Sequence, residues 1–265
     1  MKRTFDFLGV QTFYSIQGSG ETVVLLHGFG EDSKIWNNLT PGLSDYQLII
    51  PDLPGSGLSE PLDLSNASMS GYAAFVESIL RGENIESVHL IGHSMGGYIA
   101  MEFASRYPDK LKSVTLFHSS AFADDAEKIE TRRKAIDFIE SHGVSAFLKT
   151  SIPNLFKEPE LHNATIAKLV DDGRSFLTST LVHYYQAMIG RNDHSGLLSA
   201  LNIPVLFIIG EFDKAVPLKI SLKQSYLPAI SYVHILRNSA HMGMCEEPDK
   251  ISLITNDFLK GIGKG

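Results

Sequence analysis

The sequence predicts an α/β fold: a mostly parallel central sheet flanked by helices, with an all-helical segment inserted late in the sheet. Three observations predict it. Short apolar runs rich in β-branched residues recur along the chain, segments of helical periodicity separate most of them, and one long stretch carries helices alone. With 265 residues, 43% of them apolar and 20% charged, the chain can bury a full core and has none of the compositional marks of disorder.

Taken in order, residues 5–7 and 12–16 read as an antiparallel pair at one edge of the sheet. The runs at 22–26, 47–50, 87–91, 113–117, 204–209 and 232–236 read as buried strands, with helical spacing at 72–80 and 97–106 between them. From 121 to 198 the rhythm breaks. This stretch offers helices at 126–141, 144–150, 160–171 and 176–190, punctuated by Gly143, Pro153, Pro159 and Gly173. The chain therefore divides into a core of residues 1–120 and 199–265 and an inserted helical module of residues 121–198.

Open α/β sheets bind ligands at the carboxyl ends of their strands, so the residues after each run carry the chemistry. These are HGFG (27–30), PDLPGSG (51–57), GHSMGG (92–97), GEFD (210–213) and NSAH (238–241). Gly92-x-Ser94-x-Gly96, placed after an apolar run and before a helical one, has the pattern of a sharp strand-to-helix turn. Glycines at its flanks let neighbouring backbones approach, while the strained Ser94 presents its hydroxyl beside the helix that starts at Met95.

A serine hydroxyl is a poor nucleophile without a base, and this turn calls for the chain order serine, acid, histidine. His241 and Asp213 fit as base and orienting acid. Glu211 and Asp124 are rival acids, read instead as a solvent-facing residue and a helix N-cap. His27, His93 and His118 also follow strands, but each stands in the wrong order for the base and is read as a structural hydrogen-bonding residue. The backbone N–H groups of Phe29 and Met95 are the candidate oxyanion donors.

A net charge of −7 argues against a nucleic-acid partner. One cysteine, Cys245, rules out an internal disulfide, reads as a small partly buried residue, and leans the expected location to the cytoplasm. The opening MKRTFDFLGVQTFYS lacks the apolar core of a signal peptide, and no window approaches a membrane span. Gly18-Ser19-Gly20 precedes a strand and HGFGEDSK lacks the ending of a phosphate loop, so no nucleotide cofactor is expected. No histidine pair has metal-ligand spacing with a supporting carboxylate. The expected partner is a small-molecule substrate, bound by a monomer or homodimer without cofactor or metal.

Together with PDLPGSGLSE (51–60), PVLFIIGEFDKAVP (204–217) and NSAHMGMCEEPD (238–249), these motifs resemble the α/β-hydrolase superfamily over essentially the whole chain. The likeness is to its hydrolases with a helical cap inserted after the sixth strand. It implies a triad of Ser94, Asp213 and His241, with Phe29 and Met95 forming the oxyanion hole. Serine at position 94 separates the chain from epoxide hydrolases and haloalkane dehalogenases, which carry aspartate there. His93 before it is common in carboxylesterases and haloperoxidase-like enzymes, whereas carbon–carbon bond hydrolases often carry asparagine.

The implied activity is cleavage of a small or medium carboxylic ester through an acyl-enzyme. Carbon–carbon hydrolysis, lyase chemistry or acyl transfer by the same triad are alternatives, as is a hydrolase-like ligand receptor with slow turnover. The insertion would form a lid, with Phe122, Tyr184 and Met188 joining Phe29, Met95 and Met242 around the substrate. Arg174 and Arg191 are candidates for binding a substrate carboxylate, though both are read first as solvated surface arginines.

Overall fold

In the computed structural model, which describes residues 1–262, eight strands form one sheet in the order β1-β2-β4-β3-β5-β6-β7-β8. They are β1 (Lys2–Phe7), β2 (Val10–Gln17), β3 (Thr22–Leu26), β4 (Gln47–Asp52), β5 (Val88–His93), β6 (Leu111–Phe117), β7 (Val205–Gly210) and β8 (Ser231–Leu236). β1 and β2 form an antiparallel edge that joins β4, and the remaining neighbours pair in parallel. Every residue of β3, β5 and β7 is buried, as expected for parallel strands covered on both faces. β4 runs on through Pro51 and Asp52 because Asp52 pairs with Phe13 of β2, a long-range contact that local periodicity does not report.

Helices α1 (Met69–Gly82) and α2 (Met95–Arg106) flank the first half of the sheet. Ser68 caps α1 by accepting the Gly71 N–H. Between β6 and β7 lie only helices and turns: α3 (Ala126–His142), α4 (Val144–Ser151), α5 (Asn163–Asp172), α6 (Thr178–Ile189) and α7 (Ser195–Ala200). After β7 come α8 (Leu218–Ser225), α9 (Gly243–Glu246) and α10 (Pro248–Ile262), so the last three positions of the 199–265 segment lie outside the described residues.

The chain leaves β3 for β4 on one side and then returns to lay β5 on the other, which opens a crevice at the carboxyl ends of β3 and β5. The inserted helices rest on the loops at that end. The Phe29 ring lies 4.3 Å from that of Tyr185, the Tyr184 hydroxyl donates to the Pro54 carbonyl at 2.9 Å, and the Leu155 carbonyl accepts the His241 N–H at 2.9 Å.

Candidate active site

The turn after β5 is built by close approach. A Cβ on Gly92 would lie 2.3 Å from the Gly96 carbonyl oxygen, and one on Gly96 would lie 2.3 Å from that of Leu26, so only glycine fits either place. Between them Ser94 adopts φ 50° and ψ −115°, a strained conformation that holds its side chain up from the end of α2.

Its hydroxyl meets His241, which follows β8. Ser94 Oγ lies 2.9 Å from His241 Nε2, and His241 Nδ1 donates to Asp213 Oδ2 at 2.8 Å. That second bond places the proton on Nδ1 and leaves Nε2 free to accept the serine proton. Asp213 is anchored in turn, its Oδ1 accepting the Ala215 and Val216 N–H groups at 2.8 and 2.9 Å. Burial pushes its carboxyl pKa up, but His241, by charge and hydrogen bond, and the Val216 amide hold it below the usual range. The acid is therefore ionised beside the imidazole.

The other three strand-end histidines have structural roles. His27 Nε2 accepts from the Leu53 N–H at 3.0 Å and contacts Ser56 Oγ at 2.7 Å, joining the loops after β3 and β4. His118 is kept neutral: burial drives its pKa well down, and the amides of Gly210 and Gly243 face its two ring nitrogens at 3.1 and 3.2 Å, where the one unprotonated nitrogen of the neutral ring can accept.

His93 is the opposite case. Its Nδ1 faces Glu31 Oε2 at 3.0 Å and its Nε2 faces the His241 carbonyl at 3.0 Å, so both nitrogens meet acceptors and both must carry protons. Burial pushes the imidazolium pKa down, but Glu31 outweighs it and holds the value above the ordinary one. Glu31 also accepts the Gly28 N–H at 2.6 Å. One buried ion pair thus ties the HGFG loop, the Ser94 turn and the His241 backbone together. Sequence reasoning passed over Glu31, although it is the first charged residue after HGFG.

Neither the Phe29 nor the Met95 N–H donates to a protein group among the described residues. The Phe29 amide follows the anchored Gly28, and Met95 opens α2, where the first N–H groups have no intrahelical acceptor.

A cavity of about 590 Å³ opens over Ser94 and His241. Phe29, Phe122 and Met188 line it as expected, but three other sequence-based choices do not. Tyr184 turns its hydroxyl to Pro54, and its neighbour Tyr185 faces the cavity instead. Met95 and Met242 are 0% and 1% exposed: their backbones border the site while their side chains enter the core.

The rival acids fall elsewhere. Glu211 is exposed, and Asp124 makes no contact with His241 but pairs with Arg132 at 2.5 Å and Arg191 at 2.9 Å. The helix N-cap is Asp125, whose side chain accepts the Lys128 N–H. Arg174 is exposed and paired with Asp171, whereas Arg191 is buried. Cys245 lies off the cavity, its thiol pushed up to about 12 by burial and by Glu31 and Glu246. Among the described residues, no group of three or more His, Cys, Asp or Glu side chains is placed to hold a metal ion, and no helix is long and apolar enough to cross a membrane.

Comparison with known proteins agrees with this architecture. The family described as the alpha/beta hydrolase fold matches residues 21–142. A 2-hydroxy-6-oxononadienedioate/2-hydroxy-6-oxononatrienedioate hydrolase from Dechloromonas aromatica is 27% identical, over 95% of this chain and 91% of that protein. A thermophilic esterase from Thermogutta terrifontis, solved with malate bound, superposes with a TM-score of 0.89 at 27% identity, covering 98% of this chain and 97% of that one. The enol-lactonase from Burkholderia xenovorans shares the fold, with a TM-score of 0.89 at 20% identity, over 97% of this chain and 100% of that one.

Proposed function

This chain is a member of the α/β-hydrolase superfamily, and from that premise we propose that it is a serine hydrolase cleaving small or medium carboxylic esters through an acyl-enzyme. The observation that carries this reading is the hydrogen-bonded chain Ser94–His241–Asp213 at the floor of the cavity, beside two amides without protein acceptors.

In this mechanism His241 Nε2 takes the Ser94 proton as Oγ attacks the ester carbonyl carbon. The tetrahedral oxyanion receives the N–H groups of Phe29 and Met95, each typically contributing about 3 kcal/mol to the transition state. The C–O bond to the alcohol breaks, and the imidazolium returns its proton to the departing oxygen. Water then attacks the acyl-enzyme with His241 again as base, releasing the acid and restoring Ser94. Ionised Asp213 stabilises the imidazolium at each stage. Residues 121–198 act as the lid over a core of residues 1–120 and 199–265, and the lone thiol is in keeping with a cytoplasmic setting.

A fluorophosphonate probe is expected to add its mass to Ser94 and to leave the Ser94→Ala protein unlabelled. Labelling of that variant, or none of the wild type, refutes the proposal. A second reading, carbon–carbon bond hydrolysis by the same residues, is favoured by relatives named as hydrolases of 2-hydroxy-6-oxo acids. Product analysis with aryl esters alongside a vinylogous diketone separates the two.

A further inference from the structure

One end of the cavity carries a surplus of positive charge, and we propose that it is a subsite for a carboxylate on the acyl part of the substrate, bound by Arg132 Nη1 and the Tyr98 hydroxyl. The inference rests on the reading of Ser94 as the nucleophile and names the class of ester that reaches it.

Three observations place the subsite. The first is position. Tyr98 lies four residues after Ser94 on α2, about one helical turn along the same face, and lines the same cavity. The residue is only 4% exposed, and its hydroxyl, which makes no hydrogen bond among the described residues, is open to the cavity rather than sealed in the core.

The second is charge balance. The Asp124 carboxylate is completely buried and faces two guanidinium groups, Arg132 and Arg191, whose side chains are 10% and 5% exposed. One carboxylate against two guanidiniums leaves a net positive charge in the interior, an arrangement that is costly until an anion completes it. Of the cavity's other carboxylates, Glu31 is matched by His93, Asp125 caps α3, and Glu127 stands in the first turn of α3. Lys128, Lys214 and Lys223 add further positive charge around the opening.

The third is donor accounting. Four of the five Arg191 N–H groups are taken, since Nε and Nη2 meet the Phe122 carbonyl, Nη1 meets that of Met188, and Nη2 also reaches Asp124, which leaves a single N–H on Nη1. Its guanidinium carbon sits 3.9 Å over the Tyr98 ring. Arg191 is thus a platform, and the ligand-binding arginine is its neighbour. Arg132 directs Nε and Nη2 to Asp124 and leaves Nη1 without a protein acceptor among the described residues.

The local field agrees. Burial pushes the Tyr98 phenol pKa up, but Arg191, Lys128 and Arg132 outweigh both burial and Asp124 and hold it below its ordinary value. The offset of about one helical turn from Ser94 suits a succinyl- or glutaryl-sized acyl chain, that is, the monoester of a short dicarboxylic acid. A charged hydrogen-bond donor also rejects the neutral isostere, because the donor is then left unmatched.

The test is binding to the full-length Ser94→Ala protein, which needs no turnover. Calorimetric titration with monoethyl glutarate is expected to give a Kd at least about tenfold below that for diethyl glutarate, as one charged hydrogen bond supplies. In the same background, Arg132→Met and Tyr98→Phe are each expected to bring the two esters within about threefold. Both variants preserve the packing: Arg191 remains on Asp124 in the first, and the ring stays under Arg191 in the second. Equal binding of the two esters, no binding of either, or a preference that survives both substitutions overturns the proposal and leaves the cluster as an anchor between the inserted helices and the core. Absence of the preference in the Ser94→Ala protein itself, with Ser94 of the wild type labelled by fluorophosphonate, sinks the subsite alone. A retained preference with Ser94 unlabelled sinks only the hydrolase reading.

Discussion

Substituting Glu31 by glutamine tests the buried ion pair beneath the site. Glu31 and His93 have side chains 8% and 1% exposed, and their atoms meet at 3.0 Å. One oxygen of Glu31 accepts from both His93 Nδ1 and the Gly28 amide. Glutamine keeps the shape but not the charge, so His93 must either remain an unmatched buried cation or release a proton. If it releases the Nε2 proton, a bare nitrogen faces the His241 carbonyl; if the Nδ1 proton, the contact at position 31 is lost. A charged hydrogen bond contributes about 1.5–3 kcal/mol, and removing one partner of a buried pair costs about 3–5. Proton release relieves part of the upper range, so the expected destabilisation is about 3 kcal/mol at pH 7.

The pH dependence makes this prediction specific. In the wild type the folded pKa of His93 is raised, so its stabilising contribution is complete below the unfolded value of about 6.5 and declines as pH rises toward the folded one. Glu31 has a depressed folded pKa, so its contribution is lost only on acidification, as pH falls through that value. In the variant, burial acts on His93 without a counter-charge and the folded pKa falls below the unfolded one. Stability of the variant then rises with pH where that of the wild type falls. The gap between the two proteins should shrink by about 1.4 kcal/mol for each pH unit gained, over the range between the two folded values. Urea unfolding of both proteins at pH 5.5, 6.5 and 7.5 measures it. A gap that does not change across this range refutes a protonated His93 in the native protein.

Asp213→Asn should leave the fold intact and lower kcat on an aryl ester about 10⁴-fold, since the amide favours the wrong His241 tautomer; a loss under tenfold would remove Asp213 from its assigned role. Gly96→Ala forces a Cβ to within 2.3 Å of the Leu26 carbonyl, so it should abolish fluorophosphonate labelling or prevent folding, and a fully active variant would contradict the tight turn. The labelling of Ser94 and the loss of carboxylate preference in Arg132→Met complete the set.

Much of the site could be read before any coordinates because its chemistry obeys local rules. A nucleophile turn needs glycines where backbones touch, and Gly92, Ser94 and Gly96 follow an apolar run in that spacing. Asp213 and His241 were singled out among many acids and ten histidines by chain order and strand ends. The fold was legible for the same reason, since strand and helix periods are written in adjacent residues.

Side-chain direction was not. Tyr184 and Tyr185 are neighbours on α6, and only the phase at which that helix packs decides which one meets the cavity. Met95 and Met242 border the site along the chain, yet their side chains point into the core. Arg132 had no sequence signature, because its meeting with Asp124 and Arg191 depends on how α3 lies against the end of α6. The His93 charge depends equally on Glu31, 62 positions earlier in the chain. The sequence by itself determined the fold class and the order serine, acid, histidine, because backbone sterics and strand ends impose both locally. Only the tertiary structure decided which side chains share the cavity and which buried groups keep a charge, because orientation, desolvation and counter-charge arise from residues distant along the chain.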